Sequence, residues 1–436
     1  MLKYMFFGYV LFIYNSKNRY IYLKLTERHI ITKYHSNFKE CDELCFKSKN
    51  IYNRSLYLIK EDLKNTKYDV LNKLYDIMKS ENCFKELPMK VATATTIQIQ
   101  KIYKSFFKSM IDYGKNPNKY KGKPEQPKFL SKLNGRFIIS YNYQAISKKV
   151  FKKVNKIKLS GTNIEFTTKL KDFETIDCVR IIPRLDQYII EVCYTFNEKS
   201  QVRDNKRYGS IDLGVSNLAT FTSSIKGFVP LIFNGKPLKS INQYYNKKLA
   251  LIKSKLETVN KKKSSKKLRS LTNKRNNKVD NYLHKSSKEI VKTLVDNNIS
   301  KLVIGKNDGW KFEAKMSKQS NQNFIQIPHS RFIQMLEYKC EKEGIRIIIQ
   351  EESYTSKASF LNLDVIPIYD KNNINKYEFS GYRKSRGLYK IKSSGENINA
   401  DINGSYNILR KAIPNVFTNG IEGFVVNPKV INLTLN

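Results

Sequence analysis

Hydrophobic positions change period several times along this chain, and each change marks a segment. Residues 20–36, ending at "ERHIITKYHS", alternate in the manner of a strand. From about Asn37 to Tyr113 the spacing becomes helical. Leu44, Ile51, Leu56 and Ile59 form one stripe. Val91, Ile99, Ile102, Phe106 and Met110 form another, with Pro88 as a start signal. The run "GKNPNKYKGKPEQPKF" is a basic Gly/Pro stretch that excludes regular helix. Short apolar runs over 136–200 ("RFIISYNY", "KIKLSG", "NIEFTT", "CVRIIPRLDQYIIEVCYTF") predict strands of a small barrel. Beyond Lys206 the pattern is mixed α/β. Two long basic helices are expected between Ile241 and Asn297, on stripes Leu249/Ile252/Leu256 and Val279/Leu283/Ile290/Leu294. "KLVIGKNDGWK" and "GIRIIIQEESYTSK" read as buried strands. The helix between them carries Phe332, Met335 and Leu336 on one side, which predicts a parallel strand pair.

Charge changes the picture most. The chain has 80 Lys and Arg against 38 Asp and Glu, a formal +42 over 436 residues. Self-repulsion on that scale calls for a polyanion, and because the basic residues run along the whole chain the polyanion is expected to be an extended nucleic acid. Lys119, Tyr120, Lys121, Lys123 and Lys128 in the Gly/Pro segment are candidate backbone contacts. So are Lys261, Lys262, Lys263, Lys266, Lys267 and Arg269 at the joint of the two basic helices. In each case a solvated loop or face is the plainer alternative. The six cysteines show no disulfide framework, which points to a reducing compartment. The opening "MLKYMFFGYVLFIY" is too short to span a bilayer and lacks a cleavage site. The expected location is the cytoplasm of a prokaryotic or virus-infected cell, with no membrane partner.

Carboxylates supply the candidate chemistry. Asp212 stands in "GSIDLGVSNLATFT", a run that otherwise reads as a buried strand. Glu351 and Glu352 fall at the carboxyl end of a strand, where ligands of open α/β sheets gather. Asp401 opens the helix of "ADINGSYNILRKA", where it could simply be an N-cap. Acids on elements of one α/β domain suit Mg²⁺, which takes hard oxygen ligands. Two such ions about 4 Å apart clamp the attacking and leaving oxygens of a phosphodiester.

From about Leu25 to Pro414 the chain resembles the transposon-associated TnpB (OrfB) proteins, relatives of Fanzor proteins and type V CRISPR effectors. The resemblance lies in "LPMKVATATTIQIQ", "KNPNKYKGKPEQPKF", "GSIDLGVSNLATFT", "NYLHKSSKEIV", "EESYTSK" and "ADINGSYNIL". It implies a multidomain α+β fold. Residues 1–36 and 116–205 would make a β-barrel wedge domain, with an inserted helical recognition domain at 37–115. An RNase H-like (RuvC) α/β nuclease domain would follow at 206–436, with a basic helical hairpin at 241–297. The implied activity is cleavage of double-stranded DNA beside a short motif. It would be directed by a guide RNA from the transposon end, with two Mg²⁺ held by Asp212, Glu352 and Asp401, in a protein expected to be a monomer. Two departures stand out. The family's usual second acid would fall at Gly305, and Glu352 matches a rearranged position seen in some relatives, with Glu351 as the alternative. The segment 358–399, where the family commonly has a zinc ribbon, contains neither Cys nor His, so no zinc is expected and the segment is read as a degenerate insert. It would act as a lid held by Tyr369, Tyr377 and Tyr382. A nuclease-inactive RNA-guided repressor is the rival reading. An actin-like ATPase, which also uses "IDLG", would leave the charge unexplained.

Overall fold

The computed structural model describes residues 4–7, 10–13, 22–64, 69–197, 202–258, 264–307, 325–369, 376–385 and 387–434. The chain is a mixed α+β protein that divides into two compact units, Met1–Phe196 and Asn197–Asn436.

The first unit opens with a hairpin of β1 (Tyr4–Phe7) and β2 (Val10–Ile13), followed by β3 (Tyr22–Ile31). The helical segment comprises α1 (Phe38–Lys64), α2 (Asp69–Met78), α3 (Asn82–Lys85) and α4 (Met89–Lys115). The predicted stripe of α1, Leu44, Ile51, Leu56 and Ile59, is its buried face; on α4 Val91 and Ile99 are buried, while Ile102, Phe106 and Met110 are half-buried. Then come β4 (Ile139–Asn142), α5 (Lys148–Val154), β5 (Lys156–Lys158), β6 (Glu165–Thr167), β7 (Ile176–Arg184) and β8 (Gln187–Asn197). The long strands pair in the order β3–β8–β7–β4, and β5 and β6 pair separately. Glu191, almost fully buried, is matched by Arg28 and Arg180 at 2.8 and 2.6 Å, so a charge inside this sheet is paired from both sides.

The second unit is built on a six-stranded sheet. In chain order its first elements are β9 (Tyr208–Leu213), β10 (Asn217–Ser223), β11 (Leu231–Asn234), α6 (Lys236–Thr258) and α7 (Lys266–Asp296). After β12 (Lys301–Gly305), α8 (His329–Lys342) and β13 (Arg346–Gln350) comes a small sheet of β14 (Gly381–Ser385), β15 (Leu388–Ile391) and β16 (Asn397–Asn399). The unit closes with α9 (Ala400–Ala412) and β17 (Lys429–Ile431). The strand order is β13–β12–β9–β10–β11–β17. β9, β10 and β11 form an antiparallel meander, whereas β12 runs parallel to β9 and β13 parallel to β12. The strand–helix–strand expectation for β12, α8 and β13 is thus met. The expectation that both strands are buried is not. β12 is enclosed, but β13 is the sheet edge and Ile349 is 44% exposed.

Helices cover both faces of the sheet. Leu283, Ile290 and Leu294 of α7, with Phe332 and Leu336 of α8, pack in one core with Ile211, Phe221 and Ile304. On the other face α9 sends Ile402, Tyr406, Ile408 and Leu409 into a second core with Tyr208, Val303 and Phe360. Cover on both faces leaves every residue of β9 but Asp212 buried. Among the described residues, no helix is long and apolar enough to cross a membrane.

Candidate functional site

The three sequence-predicted carboxylates line one cleft of about 640 Å³. Asp212 is the next-to-last residue of β9, a central strand, and pairs with Thr220 across the hairpin. Gly214 makes the turn that follows. A Cβ there would meet Asn217 O at 2.6 Å, so only glycine fits without displacing backbone. Glu352 follows β13, on a turn that forces Tyr354 to φ +66°. Asp401 lies in the first turn of α9 and is not its cap. Asn399 is, its side chain accepting from the Asp401 and Ile402 amides at 3.0 and 3.2 Å. Asp401 is thereby free to face the cleft.

Asn403, Gly404, Ser405, Tyr406 and Asn407 of "DINGSYN" each have a distinct task in bringing α9 to this place. Gly404 faces Asp212, and a Cβ there would fall 2.7 Å from Asp212 Oδ2. Ser405 joins Ser210 and Thr222 in a buried hydroxyl cluster that seats the helix on β9 and β10, with Ser210 Oγ donating to Ser405 O at 2.8 Å. Asn403 accepts from the Phe360 amide and donates to Ala358 O, both at 2.8 Å. Asn407 donates to the carbonyls of Thr355 and Ala358 at 2.9 and 2.7 Å. The two asparagines therefore fix the chain that follows Glu352 to the helix that carries Asp401. Tyr406 stacks on Phe360 with ring centroids 4.2 Å apart.

The neighbouring glutamates part company. Glu351 is held by Lys411 Nζ at 2.5 Å and by the Ser353 amide at 2.6 Å. Burial would raise its pKa, but these bonds outweigh burial and hold it below the ordinary range. Glu352 lines the cleft, and burial, aided by the charge of Glu351 and opposed by Lys411, pushes its carboxyl up to about 7. Asp212 is raised well above the ordinary range by burial first and then by the charges of Glu352 and Asp401, with Arg383 acting the other way. Asp401 is gripped at both oxygens. Arg383 Nη2 is 3.0 Å from Oδ1, and Asn217 Nδ2 donates to Oδ2 at 2.7 Å.

The donor set suits a hard divalent cation. All three acids offer oxygen, the ligand Mg²⁺ prefers. Burial and mutual repulsion make the negative charge on Asp212 costly without a cation. The chemistry fits. Among the described residues, however, no three acidic, His or Cys groups stand together as a metal-holding cluster.

Sequence reasoning missed Arg383, Asn217 and Gly404. Arg383 belongs to an insert without clear periodicity. Asn217 could have been suspected from its place one turn beyond Asp212. Of the candidate nucleic-acid contacts, Lys261, Lys262 and Lys263 lie outside the described residues. Lys266 and Lys267 are exposed at the start of α7, while Arg269 is half-buried. Lys119, Lys121, Lys123 and Lys128 are exposed and Tyr120 is half-buried. Lys119 and Tyr120 both bind Asp112, at 2.7 and 2.6 Å, and Lys128 pairs with Glu125 at 2.5 Å. Of the tyrosines assigned to the lid, Tyr377 packs edge-on to Tyr354, while Tyr369 and Tyr382 are exposed.

Fold and site define a mixed α+β protein whose second unit sets three carboxylates on one cleft. The OrfB_IS605 family model, described as a probable transposase, matches residues 191–311, and the Cas12f1-like TNB domain matches 329–408. These two matches support a TnpB-like (OrfB) relationship for the segments 191–311 and 329–408. Among solved structures it is similar to the protein of a Cas12f1–sgRNA–target DNA complex at 16% identity, over 88% of this chain and 98% of that one, with a TM-score of 0.33. A CRISPR-Cas12f ternary complex gives 14% identity over 85% and 82%, with a TM-score of 0.34. C2c1 of Alicyclobacillus acidoterrestris bound to single-guide RNA gives 7% over 86% and 70%, at 0.40. No curated protein matches the chain.

Proposed function

We propose that this chain is a transposon-encoded, RNA-guided DNA endonuclease that cuts double-stranded DNA beside a short adjacent motif. The observation that carries the reading is the exchange between Gly305 and Glu352. In the resemblance described above, an acid is expected at the Gly305 position. A Cβ on Gly305 would lie 2.6 Å from Glu352 Oε2, so the missing side chain leaves room for the carboxylate supplied from the neighbouring strand. Asp212, Glu352 and Asp401 then form the acid set, with Glu351 kept out of it by Lys411.

The strand order and directions of the second unit support an RNase H-like, RuvC-type domain over 206–436. The first unit is read as the barrel wedge domain (1–36 and 116–205) interrupted by the recognition helices (37–115). Mg²⁺ held by the three acids would supply an activated water and charge neutralisation at the phosphodiester. The residues of this chain do the rest. Asn217 and Asn399 orient Asp401, Gly404 admits α9 beside Asp212, and Asn403 and Asn407 hold the turn after Glu352. Exposed lysines track the phosphate backbones, while base pairing with the guide sets the sequence cut. Zinc has no thiolate or imidazole ligand between Thr355 and Ala400, and none is assigned.

The test is Mg²⁺-dependent cutting of a plasmid by protein loaded with the transposon-end RNA and a matching guide. Asp212→Asn, Glu352→Gln and Asp401→Asn should each abolish cutting while retaining RNA, with losses that do not add in combination. Glu351→Gln should be far milder. If wild type retains the RNA and binds the target yet never cuts, the chain is the inactive repressor. If no RNA is retained at low salt, the RNA-guided reading fails.

A further inference from the structure

The small sheet brings a cation into the carboxylate cleft. β14 and β15 pair antiparallel, with Arg383 opposite Tyr389. Tyr389 anchors the hairpin: its ring is fully buried and its hydroxyl donates to Lys357 O at 2.8 Å. The rest of β14 after Gly381 is exposed. From that strand Arg383 reaches Asp401 Oδ1, and Asn217 takes the other oxygen. Both oxygens of one acid in the set are therefore engaged by donors of this chain, one of them cationic. A guanidinium has five donors and no acceptor, so it cannot share a carboxylate oxygen with a metal ion without placing like charges together.

The geometry points to Arg383 as an internal counter-ion that holds Asp401 in the cation-free protein and is displaced when a divalent cation binds, so that loading the site and releasing the β14–β15 hairpin are one event. The inference rests on the three-carboxylate site proposed above. The ion pair is half open to solvent, with 44% of the Arg383 side chain exposed. Such pairs are weak, so displacement reduces cation affinity only several-fold.

The experiment titrates the nucleic-acid-free full chain with Mn²⁺, which binds oxygen and nitrogen sites at least as tightly as Mg²⁺ does. Calorimetry gives the affinity, and hydrogen exchange follows residues 381–391. Arg383→Gln should bind Mn²⁺ about three- to fivefold more tightly than wild type. Lys384→Gln removes the same charge one residue along, at the register shift that follows Arg383, and should leave the affinity within about twofold. In wild type, Mn²⁺ should speed exchange in the hairpin, and Asp401→Asn should abolish that response. Unchanged affinity in Arg383→Gln, an equal gain in Lys384→Gln, or slower hairpin exchange with Mn²⁺ each overturns the counter-ion. If Asp212→Asn leaves Mn²⁺ binding as it is in wild type, the carboxylate site itself is refuted, and the inference falls with it.

Discussion

Glu352→Gln should stabilise the metal-free protein, and the gain should appear only as pH rises. The carboxyl goes from its ordinary 4.5 in the unfolded chain to about 7 in the folded one. The folded state therefore holds the proton more tightly, and stability is greatest below pH 4.5 and lost as pH rises through 7. Each tenfold in proton affinity is worth about 1.4 kcal/mol, so the full penalty at pH 8 is about 3 kcal/mol. Gln has nearly the same shape and no charge to bury. Wild type and Glu352→Gln should thus be about equally stable near pH 5 and diverge by up to about 3 kcal/mol by pH 8. The assay is chemical denaturation in chelator at several pH values, followed by circular dichroism and fitted with separate transitions for the two units. Mg²⁺ should close or reverse the gap at pH 8 by stabilising wild type alone. A gap that does not change with pH, or a variant less stable than wild type at pH 8, would show that Glu352 is not confined among buried groups and other carboxylates.

Two further outcomes follow from the packing of α9. Gly404→Ala sets a methyl 2.7 Å from Asp212 Oδ2; cutting of the guided plasmid should fall at least about a hundredfold, while calorimetric stability drops by no more than about 1–3 kcal/mol. Asn407→Leu leaves the carbonyl of Thr355 without its Asn407 donor and removes one of the two donors at Ala358 O, so denaturation should show a loss of about 1–3 kcal/mol confined to the second unit.

The parts legible in the sequence are those whose burial follows one period. The stripes of α1 and α7, and the first half of that of α4, are buried faces because a 3.6-residue repeat has only one way to meet a core. The parallel β12–α8–β13 unit was legible because a crossover helix leaves little choice of direction. The edge position of β13 was not. "RIIIQ" is as apolar as an inner strand, and an apolar run cannot say how many neighbours it will have. Nor could the sequence choose between Asn399 and Asp401 as helix cap, since both are good caps and only geometry selects one. Glu351 and Glu352 stood as alternatives in the sequence, and the structure turns them to Lys411 and to the cleft respectively. Arg383 was illegible because its meeting with Asp401 depends on how the insert folds back, not on any local pattern.

The anchoring by Asn403 and Asn407 has a bearing on how such a chain can change over time. The insert leaves the core of the second unit near Phe360 and rejoins it at Ala400, and α9 fastens both points: Asn403 at the exit, and the helix's own first residue at the return. Closing a loop between ends already held near each other costs little more for a long segment than for a short one. The stretch from Leu361 to Asn399 is thus a cassette. It can lose a metal-binding ribbon, shorten, or take on new contacts while the acids on either side keep their places.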